Sequence, residues 1–202
     1  MSGVHSALEW AVEARPYPGE VACGDRSLVV SGRETLLAVV DGLGHGIEAA
    51  RAAERAIETI AERADAPLDE IVQECHRQLR STRGVALTLV AVSPTLGTLT
   101  WLGVGNVEAL LVRASPGGLP ARALIVASGG VVGHHLPPLR TASLDLGPDD
   151  LIVLATDGIS EQFAVQSPCN GEPAEIARDI LARHALSGDD ALVLVARHGG
   201  PR

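Results

Sequence analysis

The apolar run Leu36 to Val40 ends in Asp41-Gly42, and the run Leu151 to Thr156 ends in Asp157-Gly158. A carboxylate at the mouth of a buried strand is a rigid oxygen ligand for a hard cation, and the glycine beside it lets another group approach the backbone. Two such corners in one chain point to one metal site. Any fold of this chain must therefore bring the ends of two core strands to the same place.

The rest of the chain reads as strands interrupted by helices. Ala7 to Ala14 and Ser27 to Ser31 have the look of short outer strands, and Glu34 to Val40, nearly all apolar, that of a central one. From His45 to Arg63 the residues Ile47, Ala50, Ala53, Ile57 and Ile60 recur at helical spacing, with Glu48, Glu54, Glu58 and Glu62 outward. A second helix follows Pro67, which suits a first turn. Val85 to Val92, Thr98 to Leu102 and Val107 to Val112 read as an antiparallel meander turning at Ser93-Pro94 and at Gly103 to Asn106. Ala121 to Ala127 and Leu139 to Leu144 extend it. Pro116 to Pro120 and Gly129 to Pro138 are expected loops. A last helix, Pro173 to Ala185, and a last strand ending near Arg197 complete the order. Strands, a helix pair, more strands and a helix-strand pair imply two packed sheets with helices outside.

Composition removes several function classes. The 202 residues, 46% of them hydrophobic, are expected to form one domain spanning 1–202. A net charge of −9 opposes an extended phosphate backbone, and 2% aromatic content leaves few platforms for stacking bases, so nucleic acid is an unexpected partner. All 16 basic residues are arginine, which excludes a P-loop lysine, a Schiff-base lysine and a Ser-Lys dyad. A phosphate here must be held by arginine or metal. Cys23, Cys75 and Cys169 form no Cys-x-x-Cys pair and no Cys-x5-Arg loop, and are expected to be reduced bystanders. No signal peptide or membrane span is apparent, which implies a cytoplasmic protein with no membrane partner.

Further acids stand in Gly24-Asp25, before the first core strand, and in Gly188-Asp189-Asp190, before the last. Asp25, Asp41, Asp157 and Asp189 gathered in one cleft would repel one another without counter-charge, and two divalent cations would balance them. Mg²⁺ or Mn²⁺ suits such oxygen ligation, and a metal pair can activate one water as nucleophile. The order of these parts, including Asp41-Gly42-Leu43-Gly44-His45-Gly46 and Thr156-Asp157-Gly158, resembles the metal-dependent type 2C protein phosphatases in their compact bacterial branch of sporulation and stress-response enzymes.

That resemblance implies an α-β-β-α sandwich of two mainly antiparallel sheets flanked by helices, in the α+β class. It implies that Asp41 bridges both metals and Gly42 contributes its carbonyl. Asp157 and Asp189 then hold one metal, with Asp25 on the other side and Asp190 as the alternative to Asp189. Asp41 and Asp157 would carry the catalytic role, through direct attack of metal-activated water on phosphoserine or phosphothreonine. Larger members have histidine directly after Asp-Gly and Gly-Asp in a later turn; this chain has Leu43 and Asn106 instead, leaving the general acid unassigned. Cys23-Gly24-Asp25, Thr82-Arg83-Gly84-Val85-Ala86 and Val104-Gly105-Asn106-Val107 are similar to blocks of the RsbX-type stressosome phosphatases. Their substrates imply phosphorylated STAS-domain scaffold proteins as partners of a monomeric enzyme. Phosphorylated anti-sigma-factor antagonists are an alternative substrate, and a weakly catalytic module that binds a phosphorylated partner is an alternative role.

Arg83 and Arg26 are candidates to clamp the phosphate. His45, in the first turn of a helix, can be read as substrate-positioning or as a surface residue, and the adjacent His134 and His135 as loop residues. Asn106 reads as a turn residue.

Overall fold

The computed structural model describes residues 2–5, 8–93, 95–114, 121–125, 127–166 and 170–199. The Pro116 to Pro120 loop and Cys169 lie outside them. In chain order, β1 (Ser2–His5), β2 (Leu8–Arg15), β3 (Asp25–Ser31) and β4 (Thr35–Gly42) precede α1 (Ile47–Glu62) and α2 (Leu68–Gln78). Then come β5 (Val85–Ser93), β6 (Thr98–Val104), β7 (Glu108–Val112), β8 (Arg122–Ile125), β9 (Ala142–Asp145) and β10 (Leu151–Ala155). The chain closes with α3 (Phe163–Gln166), α4 (Pro173–His184) and β11 (Ala191–His198).

The strands form two antiparallel sheets, in the orders β1-β2-β11-β10-β7-β8 and β3-β4-β5-β6-β9. Side chains alternate between the faces of a strand, and this explains the unbroken apolar runs. From β4, Leu36, Ala38 and Val40 pack under α1 and α2 together with Ile60, Ile71 and Leu79. Leu37 and Val39, one residue out of phase, pack between the sheets against Leu111, Leu154 and Leu194. On the far face of the other sheet, Val153 and Val193 meet Phe163 and Ile176. Helix, sheet, sheet and helix thus stack around three aliphatic layers, as the sequence pattern implies.

Three expectations need correction. β7 does not continue the meander. β5 and β6 pair with each other, whereas β7 pairs with β10 in the opposite sheet, so the chain crosses between sheets at Gly105-Asn106. Gly105 has φ 98°, and a Cβ there would press on Ala86, so the crossing depends on glycine. β8 and β9 likewise divide, β8 joining β7 and β9 joining β6. β2 is not an outer strand, because β1 covers it on one side and β11 on the other.

Candidate metal centre

Both sheets deliver acids to the same end. Asp25 opens β3 and lies directly opposite Asp41, near the end of β4, so their side chains share a face. The β4 alternation turns that face toward the second sheet, where the segments beyond β10 and before β11 bring Asp157, Asp189 and Asp190. The carboxylates of the two Asp-Gly corners are thereby close enough to act on each other.

Glycines make the approach close enough. A Cβ on Gly42 would collide with the Ala49 carbonyl in α1, and a Cβ on Gly158 would collide with the Asp190 carbonyl. Gly42 N–H donates to the Gly24 carbonyl (3.2 Å), tying the two acid-bearing segments together. Gly158 has the same effect on the other sheet, because only a bare Cα leaves room for the Asp189-Asp190 turn beside Asp157.

Four of the five acids accept hydrogen bonds from neutral donors. The Thr156 hydroxyl donates to Asp25 Oδ2 (2.7 Å) across the sheets and accepts from Leu192 N–H (2.9 Å). Asn106 Nδ2 donates to Asp157 Oδ2 (2.5 Å). Tyr17 N–H donates to Asp190 Oδ1 (2.7 Å), while Asp190 Oδ2 is buried without a hydrogen-bond partner among the described residues. Asp189 caps its own turn by accepting Asp190 N–H (2.9 Å).

Sequence reasoning missed the parts played by Thr156 and Asn106. Thr156 was adjacent to a marked acid, but nothing in one dimension ties it to Asp25. Asn106 reads as a turn residue because its partner is 51 positions away.

The electrostatics are those of anions gathered without a counter-charge. Burial pushes the Asp25 carboxyl up to about 7, the Thr156 hydroxyl opposes the shift, and the charges of Asp190, Asp157 and Asp189 add to it. Burial, then the charges of Asp25, Asp157, Asp189 and Asp190, push Asp41 up to about 9. Asp157 is reached by solvent, yet the protein around its carboxylate raises it, followed by the charge of Asp189; a hydrogen bond with Asp41 works the other way. A cation bound among these carboxylates would offset the mutual repulsion that raises Asp41 and Asp157.

Among the described residues no group of three or more His, Cys, Asp or Glu side chains stands gathered so as to hold a metal ion. The donor set still fits hard divalent ions: all oxygen, strongly anionic, and with one buried carboxylate oxygen unsatisfied. Mg²⁺-type ions keep several waters and take few protein ligands each.

The remaining candidates separate cleanly. Arg26 is committed to its own loop, donating to the carbonyls of Cys23 (2.6 Å) and Asp25 (2.9 Å). Arg83 is exposed, its Nη1 lies 2.8 Å from where a Gly44 Cβ would be, and no acid among the described residues pairs with it. His45 stacks on Tyr17 (4.3 Å between ring centroids) and contacts Glu20 Oε1 at 3.2 Å. His134 Nε2 contacts the Thr82 carbonyl (3.1 Å). Burial pushes the thiols of Cys23 and Cys75 up to about 12, so neither is a nucleophile near neutral pH. Beside Asp157 opens a cavity of about 580 Å³, bordered by Asn106, Glu108, Leu124, Ile159, Glu161 and Leu186.

Two antiparallel sheets between helices, with acids collected at one end of the sandwich, define the type 2C phosphatase fold. The chain belongs to the Stage II sporulation protein E (SpoIIE) family, whose model matches residues 31–198. It is 22% identical over 178 residues to phosphoserine phosphatase RsbX of Bacillus subtilis (strain 168), covering 88% of this chain and 87% of that one. A solved chain from work on "The bacterial stressosome: a modular system that has been adapted to control secondary messenger signaling" is 35% identical. It superposes with a TM-score of 0.85 over 94% of this chain and 99% of its own. The crystal structure of RsbX in complex with magnesium superposes with a TM-score of 0.87 at 18% identity, over 98% of each chain.

Proposed function

We propose that this protein is a Mn²⁺- or Mg²⁺-dependent protein serine/threonine phosphatase acting on phosphoproteins of a bacterial stress-signalling complex. The observation that carries the reading is the convergence of Asp25, Asp41, Asp157 and the Asp189-Asp190 pair at one end of the two-sheet core. Membership of the SpoIIE family, and relatives that include a phosphoserine phosphatase and a chain solved in work on the bacterial stressosome, support the same activity and setting.

Asp25, Asp41, the Gly42 carbonyl, Asp157 and Asp189 would hold the cations, with Asp190 Oδ2, beside Gly24, as a further oxygen. Bound there, divalent ions supply charge neutralisation for the phosphoryl group and activate water for its attack. The chain's own residues do the positioning. Thr156 and Asn106 fix Asp25 and Asp157, and both donors are neutral, so they orient the acids without consuming the charge the cations need. Arg83, beside Gly44 and without an acidic partner among the described residues, would receive the phosphate oxygens. No side chain is required as nucleophile, in keeping with the high thiol pKa values.

The partners are phosphorylated STAS-domain scaffold proteins of the signalling complex, and the enzyme works as a cytoplasmic monomer. No helix among the described residues is long and apolar enough to cross a membrane. The test is dephosphorylation of p-nitrophenyl phosphate and of a phosphorylated STAS protein, with and without Mn²⁺. Asp41→Ala and Asp157→Ala are each expected to lower the metal-dependent rate by about a hundredfold or more. Unchanged rates in both variants would falsify the mechanism.

A further inference from the structure

We propose that the cavity beside Asp157 is a docking groove for the segment of a phosphoprotein that flanks the phosphorylated residue, and that it selects a basic side chain there. The nature of the occupant rests on the phosphatase reading above; its chemistry is read from the lining alone.

The groove is continuous with the acid cluster, since Asp157 and Asn106 border both. Whatever extends from a residue held at the cluster enters this space first. Its volume of about 580 Å³ accommodates a few side chains. One wall is aliphatic and uncovered: Leu124 and Leu186 are 54% and 47% exposed, beside the buried Ile159. An inorganic cation would make no use of that surface, whereas the stem of an arginine would.

The charged part of the lining is of one sign. Glu108 and Glu161 both border the cavity, and neither pairs with a basic side chain among the described residues. They are close enough to feel each other: burial, then the Glu161 charge, raises the Glu108 pKa. Two uncompensated carboxylates on an apolar wall favour a cationic side chain and reject an acidic one. A guanidinium can bridge both while its stem covers the leucines.

The register gives the spacing. Glu108 lies opposite Ala155, the last residue of β10 and two residues before Asp157. That is roughly 7 Å along a strand, the reach of two residues of extended peptide. The selected basic side chain is accordingly two or three positions from the phosphoserine.

Fluorescein-labelled phosphoserine peptides carrying either Arg or Glu at the positions two and three removed from the phosphoserine test this. Binding is read by anisotropy with Mn²⁺ on non-hydrolysable phosphonate analogues of the same peptides, and hydrolysis with Mn²⁺ on the phosphopeptides, each rate divided by the same protein's rate on p-nitrophenyl phosphate. The Arg peptide is expected to bind and turn over about tenfold better, and the double variant Glu108→Gln/Glu161→Gln to shrink that ratio to about twofold or less. Glu161→Gln alone, at an exposed position, is expected to remove part of the preference and serves if the double variant does not fold. Equal binding of both peptides, or a preference that survives these substitutions, overturns the groove. A retained Arg preference in anisotropy with no hydrolysis of any substrate would instead overturn the phosphatase reading and leave the groove standing.

Discussion

Asp25 and Asp41 face each other directly across the β3-β4 ladder, two carboxylates on the same face of one antiparallel pair. Like charges in that relation destabilise a sheet, and here both are also largely out of water. The three aliphatic layers offset the cost, each fully buried Leu or Val contributing about 1.5–3 kcal/mol. A pair kept against its own repulsion is what a cation-binding role requires.

The pH dependence of the metal-free protein follows from this pair. The folded state holds protons on Asp25 to about 7 and on Asp41 to about 9, whereas an unfolded carboxyl releases its proton near 3.8. Between these values the folded chain binds more protons than the unfolded one, so stability falls as pH rises. In EDTA the melting temperature should decline from pH 5 to pH 9; with Mn²⁺ the decline should flatten, because the ion favours the ionised form. Asp25→Asn should raise the metal-free melting temperature by a few degrees, about 1 kcal/mol, and lower activity. Calorimetry showing metal-free stability rising across that range would contradict the assignment.

If Asp157 holds a metal as proposed, Asn106 acts on the reaction through it. Removing its amide in Asn106→Ala would then free a carboxylate that a bound Mn²⁺ would need in one orientation. The Mn²⁺ concentration for half-maximal activity should rise by about tenfold or more, with the metal-free melting temperature nearly unchanged. A metal titration indistinguishable from that of the parent protein would return Asn106 to a turn-forming role.

Arg83 is expected to act on phosphate affinity. Arg83→Ala should raise KM for p-nitrophenyl phosphate, and the inhibition constant of inorganic phosphate, by about tenfold with a smaller change in kcat. Arg83→Lys should recover part of the loss, since a point charge replaces a bidentate fork. Arg26→Ala, by contrast, should show itself in stability, because that guanidinium ties the Cys23 and Asp25 carbonyls. Equal phosphate inhibition of the parent and Arg83→Ala proteins would remove Arg83 from the site.

Gly158→Ala probes the meeting of the last two strands. The added methyl would strike the Asp190 carbonyl, a backbone atom with no freedom to swing aside. Destabilisation of about 3 kcal/mol is expected, along with loss of activity as the Asp189-Asp190 turn is pushed from Asp157. Full activity and an unshifted denaturation midpoint would show that the approach is less tight than described.

The sequence by itself determined whatever depends on near neighbours. Leu36 to Val40 and Leu151 to Ala155 had to be buried strands because no polar residue interrupts them. Ala50 to Ile60 reads as a one-sided helix because its apolar residues recur at helical spacing, although Ile47, the first of that stripe, stands 60% exposed. The Asp-Gly corners marked their own importance by ending those strands. Only the tertiary structure decided relations between distant segments. Strand pairing is non-local, so nothing within Val85 to Val112 announces that the chain changes sheets at Gly105, where the absence of a Cβ permits the crossing over Ala86. That crossing carries Asn106 to Asp157, just as the sandwich carries Thr156 to Asp25. Burial and hydrogen-bond partners, which separate the committed Arg26 from the available Arg83, exist only once both sheets are packed.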